Sequence, residues 1–564
     1  MVYRRSLRIE NEALRRDLNA LEFRERPKVT MANQLFQRKS HEALVEEMQS
    51  DNRLRRVLGP IQLASLGIGG IIGTGIFVLT GIAAHDTTGP ALVLSFVVAG
   101  ITCVFAALCY AEFASMVPVA GSAYTYAYAT LGELFAWIIG WDLILEYAVA
   151  SATVAHGWSH YFQDFLAFFH SKYLRLPYIF TNAPFDYNPN RVAEQLTNAG
   201  QHGFFGLVHR FLSEFVLTGT WFDLPAVVIA LLITIILVKG IRESASVNAG
   251  IVGLKVVIVL FVIAVGAVYV HSANWKPFAP FGLTGVSFFG HTLLGQTGKG
   301  GEPIGMLAGA ALVFFAYIGF DSVSTHAEEA RNPARDVPIG IIASLILCTV
   351  LYIAVSAVLT GMIHYDKINI DAPVSDAFRQ VGLGWAELIV SIGAIAGITS
   401  VLLVMMLSQS RIFLAMSRDG LLPPFFGEVH ERFRTPWKST ILTGLFVASM
   451  AAALPLRILA DLVNIGTLLA FVIVCAAVLI MRKTHPEVHR PFRAPLGALV
   501  PIAGILCCLL LMFSLRVENW WRLFIWLGIG FVIYFSYGIR HSRVTLESRK
   551  RKVAGSAGVA LGQK

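Results

Sequence analysis

Residues 67–77 read Gly67-Ile68-Gly69-Gly70-Ile71-Ile72-Gly73-Thr74-Gly75-Ile76-Phe77. They lie inside an apolar run long enough to cross a bilayer as a helix. Yet five of the nine residues from Gly67 to Gly75 are glycine, each worth roughly 1 kcal/mol against the helix relative to Ala. Where such a helix unwinds, its freed N–H and C=O groups must find partners, because lipid offers none. A second stretch, Phe314-Phe315-Ala316-Tyr317-Ile318-Gly319-Phe320-Asp321-Ser322, is interrupted by a glycine and an acid. Interrupted helices at matching positions of two halves point to a binding site in the midplane of a carrier. Half-helix N-termini offer N–H groups and a positive dipole end to a carboxylate, while freed carbonyls accept from an ammonium. A zwitterionic amino acid has one of each. Close packing through Gly69 and Gly73 accounts for one small-residue pair, not for five glycines followed by the polar Thr74.

Composition agrees. The 564 residues are 55% hydrophobic and only 14% charged, against about 25% charged in soluble proteins. This excludes a soluble enzyme, a disordered chain and a disulfide scaffold. Cys103, Cys109, Cys348, Cys475, Cys507 and Cys508 all fall in apolar runs, so neither a disulfide framework nor a zinc site is expected. No metal and no cofactor are expected. The net charge of +9 reads as Lys and Arg in cytoplasmic loops rather than as a nucleic-acid surface.

Twelve apolar spans can be drawn, at 61–83, 90–115, 134–168, 223–241, 247–271, 305–327, 338–362, 383–411, 437–454, 458–481, 497–515 and 521–539. They are continuous rather than alternating, which favours helices over barrel strands. Segments 329–336, 411–438, 482–493 and 540–564 are rich in Arg and Lys, whereas 84–89, 272–304 and 363–382 are poor in both. The positive-inside rule therefore places both termini in the cytoplasm of a multi-pass cell-membrane protein. The chain divides into a cytoplasmic segment 1–57, a transmembrane domain 58–540 with a long external loop at 169–222, and a cytoplasmic disordered tail 541–564. Residues 1–57 hold 13 Lys/Arg and 9 Asp/Glu without an apolar core, so no cleaved leader is expected there.

The stretches GIGGIIGTGIF (67–77), PVAGSAYTYAYATLGE (118–133), GWDLILEY (140–147), FFAYIGFDSVSTHAEEARNPARDVPIGI (314–341) and SRDGLLP (417–423) together resemble the amino acid–polyamine–organocation superfamily. Within it they are most similar to the cationic amino acid transporter family and its bacterial permease relatives. The resemblance covers about residues 31–540; the first thirty residues fall outside it, and Met31 is an alternative start. It implies an all-α polytopic protein with a five-plus-five inverted repeat, spans 1–5 and 6–10, broken helices 1 and 6, and two added helices. It also implies alternating access around a midplane site. Thr74 and Gly75 match positions that bind the substrate carboxylate. Ile71, Phe315 and Ile318 match those whose main-chain carbonyls take the α-ammonium, and Phe315 also matches an aromatic gate. Met405 matches a position lining the side-chain pocket, where its length argues for neutral substrates.

Ionisable groups inside the bilayer are functional candidates by default. Lys255 sits in GIVGLKVVIVLFVI with no acid nearby in sequence. A charge at such depth costs at least ~2.5–3.5 kcal/mol. In proton-driven family members a lysine at this position occupies the place of sodium in related carriers, facing a hydroxyl matched here by Thr399 or Ser400; protonated, Lys255 is expected to donate to that hydroxyl and to carbonyls freed by the Gly67–Gly73 break. Glu146, four residues after Asp142, and Asp321 are candidates for relaying protons or organising helices. Glu112 and His156 read as structural. The expectation is thus a proton-coupled amino acid importer, with the amino acid, protons and the lipid bilayer as its partners. A cationic amino acid carrier or an exchanger is the alternative within transport. A nutrient-sensing receptor on a transporter fold is the alternative class.

Overall fold

A computed structural model describes residues 35–39, 58–116, 122–169, 176–187, 215–240, 245–288, 291–298, 302–433, 435–544 and 546. Met31, most of 1–57, much of the 169–222 loop, residues 118–121 and most of the 541–564 tail lie outside the described residues.

Helices occupy all twelve expected spans. Span 1 runs Pro60–Ile71, breaks, and resumes as Gly75–Leu79 and Thr80–Ala83. Span 2 is Leu92–Met116, and span 3 is Glu133–Ile144, Leu145–Val149 and Ala150–Phe168. Spans 4 and 5 are Leu224–Lys239 and Ala245–Gly266. Span 6 is Met306–Val313, a tight turn at Phe314–Tyr317 and, past a break, Ser322–Thr325. Spans 7 to 12 are Pro333–Met362, Gly384–Arg418, Trp437–Ala453, Leu456–Thr484, Leu499–Phe513 and Val517–Ile533. Among the described residues, eight helical segments are long and apolar enough to cross a membrane on their own. Spans 4, 9 and 11 are 16, 17 and 15 residues long and fall short of that length. The 84–89 connector is itself mostly helical, Ala84–Thr88 continuing span 1. Three two-stranded antiparallel sheets, Phe185–Tyr187 with Phe215–Leu217 among them, and an isolated bridge between Leu58 and Ala330 are the described β-structure.

Span 1 packs mainly on span 7 and meets span 6 at the breaks; beyond it the packing has a regular pattern: span 2 packs on span 7, span 3 on span 8 and span 4 on span 9. Each partner lies five spans along the chain. With an odd number of spans per half, partners related in this way enter the bilayer from opposite faces, as an inverted repeat requires. Without a hydrophobic driving force between helices in lipid, close approach depends on small residues. Gly100 on span 2 faces Thr349 on span 7, and Gly444 on span 9 faces Thr234 on span 4, each too close to admit a Cβ without displacement. Spans 11 and 12 lie outside this arrangement. Span 12 docks on span 3 through Trp141 and Trp526, whose rings stack at 4.6 Å. Each indole donates to the other's carbonyl, at 2.8 and 3.2 Å.

The side of the bundle bearing the arginine-rich connectors, here the basic side, is fastened by buried ion pairs. Arg482 of span 10 forks onto Glu112 at the end of span 2, Nε lying 2.9 Å from Oε1, and the backbone N–H of Ala494 donates to Oε2 at 2.8 Å. The structural reading of Glu112 fits this arrangement.

Candidate functional site

The break in span 1 is local. Ile72 turns extended, at φ −72° and ψ 102°, while its N–H still closes the first half by donating to Ile68 O at 3.0 Å. Winding resumes when the N–H groups of Ile76 and Phe77 reach back to Gly73 O. The first turn of the resumed half has N–H groups without intrahelical acceptors, as at any helix start. Span 6 breaks at Ile318–Asp321, where Gly319 takes φ +117°, a conformation that only glycine adopts readily. The two breaks touch. A Cβ on Gly319 would lie 2.7 Å from Gly70 O, and one on Gly75 would lie 2.3 Å from Ala316 Cα.

Between the breaks and spans 3 and 8 lies a small cavity. Span 1 contributes Gly70, Ile71, Gly73, Thr74 and Gly75; span 6 contributes Phe315 and Ile318; span 3 contributes Ala150 and Val154; span 8 contributes Val401 and Met405. All six residues expected to bind substrate therefore line one cavity. Sequence reasoning missed Ala150, Val154 and Val401. The pairs Ala150/Val154 and Val401/Met405 are each spaced i,i+4, which puts each pair on one face of its helix. No charged side chain lines the cavity among the described residues. The Thr74 hydroxyl is buried and has no hydrogen-bond partner among the described residues. The carbonyl of Phe315 accepts from Ile318 N at 3.2 Å and that of Ile71 from the Tyr352 hydroxyl at 2.8 Å. Each carbonyl has a second lone pair for a further donor.

Lys255 lies behind the span 1 break rather than in the cavity. It is 1% exposed, and its Nζ donates to Gly69 O at 2.8 Å and Ile72 O at 2.9 Å. It thus satisfies two carbonyls at the point where the helix stops. Its stem runs past Gly397 of span 8. Gly69 O and Ile72 O are carbonyls of the Gly67–Gly73 break, as expected, whereas no hydrogen bond to Thr399 or Ser400 is formed among the described residues. Thr399 Oγ1 bonds back to Ile395 O at 2.7 Å and accepts from Trp158 Nε1 at 2.9 Å, and Ser400 Oγ bonds back to Gly397 O at 3.3 Å. Hydroxyls within a helix find their own backbone first, and the carbonyls of the break are the stronger acceptor site for an ammonium.

Glu146 and Asp321 form a separate group, wholly buried toward the basic side of the cavity. Glu146 sits in a widened π-turn, Leu145–Val149, a feature frequent at functional sites. Its carboxyl lies beside Asp321 and Thr467 and makes no hydrogen bond among the described residues. The Tyr147 hydroxyl donates to Asp321 Oδ2. No hydrogen bond or ion pair joins Lys255 to Glu146 or Asp321 among the described residues, so the expected coupling residues fall into two groups. His156 is paired, its Nδ1 3.0 Å from Asp223 Oδ2, and Asp223 caps span 4 by accepting from Ala226 N at 3.0 Å.

Comparison with known proteins places this geometry in context. The sequence profile described as amino acid permease matches residues 58–534. The chain is 46% identical to the branched-chain amino acid permease of Bacillus subtilis over 515 residues, covering 91% of this chain and all of that one. It is 45% identical to the methylthioribose transporter of the same organism over 508 residues, covering 90% and 98% respectively. It is also 36% identical over 468 residues to the vacuolar cationic amino acid transporter 4 of Arabidopsis thaliana, covering 81% of this chain and 68% of the relative.

Proposed function

The chain belongs to the amino acid permease family, and from that premise we propose that it takes up neutral amino acids, coupled to protons, by alternating access. The observation that carries the substrate class is the cavity itself. An unpartnered Thr74 hydroxyl and the start of a helix stand beside freed carbonyls, within walls that bear no charge. The substrate carboxylate would meet Thr74 and the N–H groups after Gly73. The ammonium would meet the second lone pairs of Ile71, Phe315 and Ile318. The side chain would lie between Ala150/Val154 and Val401/Met405, with Phe315 closing over it. A cationic side chain would find no acid there, which is why the neutral reading is preferred to that of a cationic amino acid carrier.

Lys255 is the proposed coupling residue. Charged, it ties span 5 to the break in span 1; neutral, it loses two charge-assisted bonds, so protonation and bundle position are linked. Glu146 and Asp321 are proposed to relay protons on the other flank. Both termini are proposed to face the cytoplasm, with the protein in the cell membrane. The test is a panel of labelled amino acids in proteoliposomes, with and without an imposed pH gradient, with methylthioribose among the competitors. Gradient-stimulated uptake of Leu, Val or Ala, with no competition from Lys or Arg, is expected. Preferred uptake of Arg or Lys, competition by methylthioribose alone, or indifference to the gradient would each overturn the matching part of the reading.

A further inference from the structure

Tyr352 of span 7 is wholly buried and does not line the cavity. Its hydroxyl stands 2.8 Å from Ile71 O and 3.0 Å from Ala316 O. These carbonyls belong to different broken helices: Ile71 ends the first half of span 1, and Ala316 lies in the tight turn before the break in span 6. A phenol has one proton to donate, so the two carbonyls share it in a three-centre bond. Two carbonyl dipoles converging on one point repel each other, and a donor between them offsets that repulsion. The ring itself is held in place. Phe96 of span 2 packs on it at 5.5 Å and Tyr317 of span 6 at 5.4 Å. Tyr317 is anchored in turn, donating to Phe96 O at 2.7 Å. The direction of the Tyr352 O–H is therefore set by spans 2, 6 and 7 together.

We propose that Tyr352 is a positioning residue for recognition of the substrate's α-ammonium: its hydroxyl clamps the two breaks at one separation and orients the Ile71 carbonyl. With one lone pair held by the phenol, the other is left to the cavity that Ile71 lines. The inference rests on the amino acid reading above. It adds a residue that never touches the substrate yet governs one of its functional groups. Without the hydroxyl, the two carbonyls face each other with no donor between them, and the break relaxes away from the geometry an ammonium needs. The carboxylate site at Thr74 and the side-chain walls on spans 3 and 8 do not depend on this bond.

The test uses the full chain in proteoliposomes and measures competition by a transported amino acid and by its des-amino analogue, which keeps the carboxylate and side chain. Thermal shift at millimolar ligand gives a second reading for the weak analogue. Wild type should prefer the amino acid. Tyr352→Phe keeps the ring and should weaken binding of the amino acid by about tenfold to a hundredfold, the worth of one charge-assisted hydrogen bond. Binding of the analogue should change far less, so the preference collapses. Tyr534→Phe, which removes an equally buried hydroxyl that donates to Glu133 Oε1 and neither bonds to a break nor packs on Tyr352, should leave the preference intact. The imidazole of Tyr352→His ends short of both carbonyls, so this variant should also lose the preference and is read by the same ratio if the Phe variant does not fold. Equal losses for both ligands, or a preference that survives in either Tyr352 variant, would overturn the proposal. A wild-type protein with no preference for the amino group would instead overturn the amino acid reading on which it rests.

Discussion

Removing the ammonium of Lys255 while keeping its stem is the most direct test of coupling. In Lys255→Met the apolar chain still packs along Gly397, but Gly69 O and Ile72 O lose donors at 2.8 and 2.9 Å. Hydrogen bonds to charged groups are worth about 1.5–3 kcal/mol each. The two together come to ~3–6 kcal/mol, a factor of about a hundred to ten thousand in an equilibrium. A difference of that size is enough to carry a two-state population from one side to the other. If the bond is made in one bundle position and lost in another, the variant can no longer translate protonation into movement. The assay is uptake into proteoliposomes at matched and unmatched pH, together with counterflow exchange at matched pH. The gradient should stimulate wild type and not the variant, whose exchange should persist because the cavity is untouched. Full gradient-driven accumulation by Lys255→Met would refute the reasoning and shift coupling to Glu146 and Asp321.

Thr74→Val keeps the shape and removes the unpartnered hydroxyl; substrate affinity should fall about ten- to a hundredfold with little change in stability, as measured by ligand-induced thermal shift. Met405→Ser should enlarge the cavity wall and admit longer or cationic amino acids, and an unchanged competition profile across Ala, Leu, Lys and Arg would place Met405 off the substrate. Gly75→Ala puts a methyl 2.3 Å from Ala316 Cα; because the obstacle is backbone, the two broken helices must separate, and transport should be lost even where the protein still reaches the membrane. Glu112→Ala leaves the Ala494 N–H without its acceptor and Arg482 with only the carbonyls of Ala494 and Gly497, costing about 1–3 kcal/mol, which thermal unfolding in detergent should report as a fall in midpoint.

The architecture was legible because lipid simplifies the code: long apolar runs separated by charged connectors can be little else. The breaks were legible because Gly67 to Gly75 and Gly319 are conspicuous where helix formers are expected. Within the site, motif residues such as Thr74 and Phe315 carried a signal. Ala150, Val154 and Val401 carried none, since a small aliphatic residue facing a cavity reads the same as one facing lipid or a neighbouring helix. The partners of Lys255 were legible only in part: carbonyls freed between Gly67 and Gly73 were expected and are used, the hydroxyls were expected and are not. Sequence displays the hydroxyls of Thr399 and Ser400, whereas the acceptors used are main-chain carbonyls of Gly69 and Ile72, whose availability depends on where the helix unwinds. Tyr352 was invisible for the same cause, both of its acceptors being backbone atoms.

The five-apart pairing of spans also bears on how the protein is made. A ribosome delivers domains from the N-terminus onward, yet the main packing partner of each of spans 1 to 4 lies in the second half of the chain. When span 5 has emerged, Lys255 can already reach Gly69 and Ile72, but Glu146 must wait for Asp321 and Thr467, and Gly75 for Ala316. The first half must therefore be held in the membrane with a buried carboxyl and an unwound helix still unserved. Contacts so distant in sequence close slowly. Biogenesis should accordingly be most vulnerable during the interval between spans 5 and 6, the stage at which insertion factors or chaperones have the most exposed polar backbone to shield.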